Sequence, residues 1–257
     1  MKTCFRRALV ATGIAFLSQT LFISSASAET LKVLTTGAFK QVVVAVAADY
    51  EKRTGHKIDI QNDTAGAVTK RVTEGENFDV LVLTPAGLKT LASTGQIDGS
   101  SILPLAKVAI GVAVKQGAPL PALQNVEDFQ ATLRNARKVA IINPASGGSS
   151  GIYLEGLFQR MGMADEVKAK AVLVNGGLVA EKIVTGEADL AIHQISEILP
   201  VAGVTLVGPL PEAIQTYTAY AGAVNANTPK KELANAFLQL FVSTQGKSII
   251  REKGMME

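Results

Sequence analysis

Four short segments hold most of the groups fit to grip a small ligand. They are Thr35-Thr36-Gly37-Ala38, Asn62-Asp63-Thr64-Ala65-Gly66, Ser146-Gly147-Gly148-Ser149-Ser150 and Asn175-Gly176-Gly177. Glycine lets a ligand approach the backbone, and Ser or Thr hydroxyls add donors. Where such a segment opens a helix, its free N–H groups and the positive end of the helix dipole favour an anion. The candidate contacts are therefore Thr36, Gly37, Ala38, Thr64, Ala65, Gly66, Ser149, Ser150 and Gly176. For any one segment the plain alternative is helix capping. Four segments at equivalent places argue for a ligand.

His193 and Gln194 complete the candidate site. The chain has two histidines, and His193 ends an apolar run. A neutral imidazole offers one donor and one acceptor. An ordinary imidazole changes charge near pH ~6.5, which would make affinity depend on pH. His56 lies in the turn Thr54-Gly55-His56-Lys57 and reads as a surface residue. Lys40 and Lys70 sit in first turns of predicted helices, where solvated surface is the simpler reading. Phe39 reads as core, and Asp189 as a turn residue.

Gly147-Gly148-Ser149-Ser150-Gly151 also fits the G-x-S-x-G pattern of hydrolase nucleophiles, with Asp189 and His193 following in triad order. Asn143-Pro144-Ala145 separates the motif from its strand, and an acid and a base on one short strand aim poorly at one nucleophile. A secreted serine hydrolase is thus the remote alternative, and the chain reads as a binding protein, not an enzyme. Two distant histidines and a single cysteine, Cys4, offer no metal set. No phosphate-loop or dinucleotide fingerprint is present, so no cofactor is expected.

The elements that must position these groups follow from periodicity. Strands are predicted over 31–34, 57–60, 78–83, 108–114, 139–142, 171–174, 189–192, 205–207 and 217–224. Helices are predicted over 38–53, 67–73, 85–95, 125–134, 151–161, 178–185, 230–242 and 245–253. Strand–helix alternation with nearly wholly apolar strands marks sheets covered on both faces. The fold class is α/β with two lobes, each a mixed sheet flanked by helices. The extended runs near 106–114 and 217–224 serve as two hinge crossings. Lobe I should hold 29–105 plus 217–257, and lobe II 106–216. A ligand would sit in the cleft between them, beyond the carboxyl ends of the strands.

Composition narrows the function classes. The chain has 257 residues, 47% of them hydrophobic, enough for a sizeable core. Its formal charge of +3 comes from 25 basic and 22 acidic residues. Residues 1–28 contain Lys2, Arg6 and Arg7 and no acid, so without them the charge is balanced. Nothing then favours a nucleic-acid partner. That same segment has a positive start, an apolar stretch over 8–23 and Ala26-Ser27-Ala28, the features of a secretory signal peptide. Cys4 lies within it, so the mature chain lacks cysteine. Export to the bacterial periplasm is expected.

The chain resembles the periplasmic solute-binding proteins of ABC transporters, in the molybdate-binding-like branch of the two-lobed class. The resemblance covers about all of the mature chain. It rests on Val33-Leu34-Thr35-Thr36-Gly37-Ala38-Phe39, Phe78-Asp79-Val80-Leu81-Val82, Ser149-Ser150-Gly151-Ile152-Tyr153, Gly186-Glu187-Ala188-Asp189-Leu190-Ala191-Ile192 and Lys253-Gly254-Met255. It implies capture of a small anion, molybdate- or tungstate-like, and delivery to an ABC permease in the inner membrane, by a protein that is a monomer by default. Family serines in the first two loops correspond here to Ala38 and to Ala65 or Gly66. Ser150 and the Gly176 amide match family contacts, and His193 stands at a family tyrosine. Those departures leave a small organic carboxylate as the alternative ligand, for transport or for sensing.

Overall fold

The computed structural model describes residues 28–257. The signal-peptide expectation falls on residues 1–28, of which 1–27 lie outside the described residues. The chain opens with β1 (Thr30–Thr36), α1 (Gly37–Thr54), β2 (Lys57–Asp63), α2 (Ala65–Thr73), β3 (Val80–Leu83), α3 (Pro85–Ser93) and the long β4 (Leu103–Lys115). A second run follows: α4 (Val126–Asn135), β5 (Val139–Ile142), α5 (Ser149–Arg160), α6 (Ala164–Lys170), β6 (Ala171–Val174), α7 (Glu181–Val184), β7 (Leu190–Gln194), α8 (Ile195–Ile198) and β8 (Val204–Pro209). Then come β9 (Tyr217–Val224), α9 (Lys231–Gln239) and α10 (Thr244–Glu252).

The strands order as β2-β1-β3-β9-β4-β7-β5-β6, with β8 also on β4. β4 serves both halves of this mixed, helix-flanked arrangement. Its residues from Leu103 to Ala109 pair with β9, and those from Ile110 to Val114 pair with β7. On the return, the Gln215 side chain copies a strand partner. Its Nε2 donates to the Ile110 carbonyl at 2.8 Å, and its Oε1 accepts from the Ile110 N–H at 3.1 Å. The crossing backbone therefore stays hydrogen-bonded on the edge of β4 that lies between its pairings with β9 and β8.

Period-two alternation divides each sheet's side chains between two apolar layers. In the first half, Val33, Val80 and Val82 face the layer that holds Phe39, while Leu34, Leu81 and Leu83 face the opposite one. In the second half, Val139 and Ile141 face Phe129 and Leu154, and Ala140 and Ile142 face Val179 and Ile183. Helix α1 shows the matching helical logic. Val42, Val43, Val46, Ala47 and Tyr50 are buried, and Gly55 ends the helix at φ 77°.

Several elements differ in extent from the sequence expectation. β1 and β2 run on through Thr35-Thr36 and Asn62-Asp63, because their parallel ladder continues to the pair Thr36–Asp63. β7 likewise reaches Gln194, which pairs with Ile110. Polar residues read as loop are thus strand ends held by ladder hydrogen bonds. Helix α5 starts at Ser149, not 151, and α7 is a single turn rather than a helix over 178–185. Helix α6 was not expected at all. Phe39 is fully buried, as read from the sequence, while His56 is only partly exposed and stacks on Tyr50.

Candidate functional site

The strand extensions bring the predicted segments to one cleft. Thr36, Gly37 and Ala38 line it where β1 passes directly into α1. Asn62, Asp63, Thr64 and Ala65 line it where β2 passes into α2. From the other half come Gly148, Ser149 and Ser150 at the start of α5, with Ile142 and Gly177. His193 and Gln194 at the end of β7, Glu197 on α8 and Tyr220 on β9 close the back wall. The space they enclose is tight. Helices α1, α2 and α5 all begin at this cleft, so three positive helix ends converge there.

Two predicted contacts do not line the cleft. Gly66 instead touches the opposite rim, where its N–H donates to the Gly147 carbonyl at 3.0 Å. A Cβ on Gly66 would lie 2.8 Å from the Gly147 Cα, so only glycine permits this approach. Thr64 reinforces it, its hydroxyl donating to the Ser146 carbonyl. Gly176 gives way to its neighbour: Gly177, at φ 88°, turns the loop so that it is the second glycine that faces the cavity.

The back wall is a buried polar cluster. Thr36, His193 and Gln194 are each 3% exposed, and Glu197 is 7% exposed. The Tyr220 hydroxyl donates to Gln194 Oε1 at 3.0 Å, and His193 Nε2 lies 3.4 Å from Glu197 Oε2. Thr36 Oγ1, His193 Nδ1 and Gln194 Nε2 have no hydrogen-bond partner in the protein. A buried polar atom left unpaired costs about 1–3 kcal/mol. Three of them at one cavity are donors and acceptors held ready for a ligand.

Burial sets the protonation of this wall. Removal from water pushes the Glu197 carboxyl up to about 8 and the His193 imidazole down to about 3. The Tyr220 hydroxyl is raised as well, first by burial and then by Glu197. At neutral pH the acid and the imidazole are thus both predominantly uncharged. This corrects the expectation that His193 titrates near neutrality. No lysine or arginine stands among the described residues that line the cleft. Lys40 is outside the lining, and Lys70 is exposed beside Glu74, at 3.8 Å.

The hydrolase constellation does not assemble. The Asp189 carboxylate accepts from the backbone N–H groups of Arg137 and Lys138, at 3.1 and 2.8 Å, and so fixes a turn. His193 Nε2 faces Glu197. Sequence reasoning missed Glu197 and Tyr220 as site residues. A signal for each was present: Tyr220 sits in an alternating strand, and Glu197 follows His193 by four residues. Asn62 and Asp63 were read as loop, and Ile142 only as the end of a strand.

The family model described as bacterial extracellular solute-binding protein matches residues 31–256. A Pseudomonas sp. protein named aconitate isomerase is 34% identical over 252 residues, covering 96% of this chain and 95% of that one. Among solved structures, the periplasmic molybdate-binding protein of Azotobacter vinelandii superposes with a TM-score of 0.75. It is 21% identical and covers 88% of this chain and 99% of that one. PEB3, a Campylobacter jejuni protein solved with L-phospholactate, gives a TM-score of 0.67 at 18% identity, covering 88% and 99%. These structural likenesses establish the fold, that of the periplasmic binding proteins. The chain belongs to the bacterial extracellular solute-binding protein family.

Proposed function

We propose that this cleft binds a small unsaturated tricarboxylate of the aconitate type and isomerises it by moving a proton. The observation that carries the reading is the buried acid, imidazole and phenol wall facing three helix N-termini without any lysine or arginine. The near-full-length relative named aconitate isomerase supports the substrate class. Aconitate contains a CH=C–CH₂ unit with a carboxylate on each carbon. Taking a proton from the CH₂ and returning one to the former vinyl carbon shifts the double bond along a skeleton that reads the same from both ends. The bound conformation about the CH₂–C single bond, which becomes the new double bond, decides whether the product is cis or trans. No oxidant, water or cofactor enters the balance. Helix-end amides suit the negative charge that spreads onto the carboxylates in the transition state.

The residues proposed to contact the ligand are Thr36, Gly37, Ala38, Thr64, Ala65, Ser149, Ser150, Gly177, His193 and Gln194. In this reading the halves over 29–105 plus 217–257 and over 106–216 close about β4, and Gly66 meets Gly147 when the ligand is enclosed. Secretion to the periplasm belongs to the same proposal.

A second reading keeps the protein as a carrier that hands a bound anion to an ABC permease. Family membership supports it, and the converging helix ends suit a molybdate-like oxyanion as well as a carboxylate. One experiment separates the two. Protein spanning 29–257 is mixed with cis-aconitate and followed by proton NMR, beside calorimetric titrations with aconitate, molybdate and tungstate. Catalytic appearance of trans-aconitate is the expected result. Binding of either ligand class without conversion would overturn isomerisation and leave the carrier reading.

A further inference from the structure

We propose that Glu197 is the catalytic residue of the isomerisation, the single group that removes the proton and returns it. This inference rests on the proposed function. Geometry singles out Glu197 in two ways. It lines the cleft, and it reaches from α8 across to the opposite half, where a Cβ on Gly37 would collide with its Oε1. Gly37 is the first residue of the 18-residue α1, so the carboxyl sits against the positive end of a long helix. That position stabilises a carboxylate whenever one forms.

The step balances on one carboxyl group. The Glu197 carboxylate takes a proton from the substrate CH₂, and the C–H electron pair becomes the new C=C bond. The former π pair then accepts the proton at the far carbon, and the carboxylate is regenerated. His193, 3.4 Å from Glu197 Oε2, is a positioning residue, because its neutral ring fixes where the carboxyl points. A carboxyl stripped of water and of cationic partners is a stronger base than one in solution.

The other titratable groups that share the cleft lining with Glu197 are few. His193 comes from β7, Tyr220 from β9 and Asp63 from β2. Among the elements packed on α8, β8 carries no titratable residue, and Lys107 and Lys115 of β4 are exposed. Lys40 of α1 is not part of the lining. No cation therefore offsets burial, which raises the carboxyl to about 8. For the free enzyme, kcat/KM is expected to rise about tenfold per pH unit until pH nears 8, since the basic form must be populated.

The test compares wild type, Glu197→Gln and Glu197→Asp with cis-aconitate as substrate. Glu197→Gln should lower kcat by about 100-fold or more, keep KM within about threefold and abolish the acid limb, whereas Glu197→Asp should keep the limb with reduced turnover. Turnover of Glu197→Gln within about threefold of wild type would overturn the assignment. So would a change confined to KM. A wild-type kcat/KM that is flat between about pH 6 and 8 would also overturn it, a result that needs no variant to fold. Absence of any wild-type isomerisation would instead remove the proposed function beneath it.

Discussion

Two glutamates of this protein sit in opposite electrostatic settings. Glu76 lies between helix α2 and β3, gripped by Arg71 through both carboxylate oxygens and by Lys32 at 2.9 Å. Those hydrogen bonds hold its carboxyl down at about 2. Glu197 is enclosed in the cleft without lysine or arginine beside it, and burial pushes it up to about 8. The same side chain is a structural anion in one place and a proton reservoir in the other. What differs is the solvent and the partner, not the residue. A carboxyl held neutral by its surroundings costs stability and gains chemistry, a pattern expected of sites rather than scaffolds.

The sharpest way to break this contrast is to neutralise each member in turn. Glu197→Gln is expected to cut turnover in the proposed isomerisation about 100-fold or more, while Glu76→Gln leaves it within about twofold. Comparable losses from the two variants in steady-state assays would erase the distinction.

Opening the cleft should make Glu197 resemble an ordinary carboxylate. Gly66→Ala places a methyl group against Gly147 and forces the rims apart, an overpacking cost of about 1–3 kcal/mol on the closed form. Ligand affinity by calorimetry should fall about tenfold or more, and the acid limb of kcat/KM should move down from about 8. An unmoved limb would mean that closure is not what dries the site.

The two carboxyls should also bend stability in opposite senses. In the unfolded chain each loses its proton near pH ~4.3. Between that pH and about 8, folded Glu197 holds a proton that the unfolded chain has released, so its contribution falls as pH rises. Glu197→Gln should therefore melt higher than wild type at pH 8, with little difference near pH 4. Glu76 runs the other way. Its contribution is complete above the unfolded value and is lost as pH falls through about 2. Because the pair is partly exposed, Glu76→Gln should cost only about 1 kcal/mol at pH 7, and nothing once the carboxyl is protonated. Melting curves across pH check both signs.

Much of the scaffold was legible because its signals are local. The buried stripe of α1, the stop at Gly55 and the apolar strands β3 and β5 each follow from periodicity over a few residues. The loops that line the cleft were legible for the same reason, since glycine and hydroxyl residues cluster before helices. Strand ends were harder. Whether Thr36 or Gln194 belongs to a strand depends on a neighbour far away in sequence, Asp63 for one and Ile110 for the other. The protonation of His193 was misjudged because charge depends on burial, and burial of a polar side chain is set by everything packed around it.

By itself, then, the amino-acid sequence determined the α/β alternation, the core faces of its helices and strands, and the four capping segments. Backbone sterics and hydrophobic period act within a single element, so the chain needs no distant partner to express them. Only the tertiary structure decided that Glu197, His193, Gln194, Thr36 and Tyr220 share one dry wall, and that Gly66 meets Gly147. Desolvation has no sequence signature. It arises where two halves of a molecule exclude water from the same few atoms, and there it turned an unremarkable glutamate into the most perturbed carboxyl of the cleft.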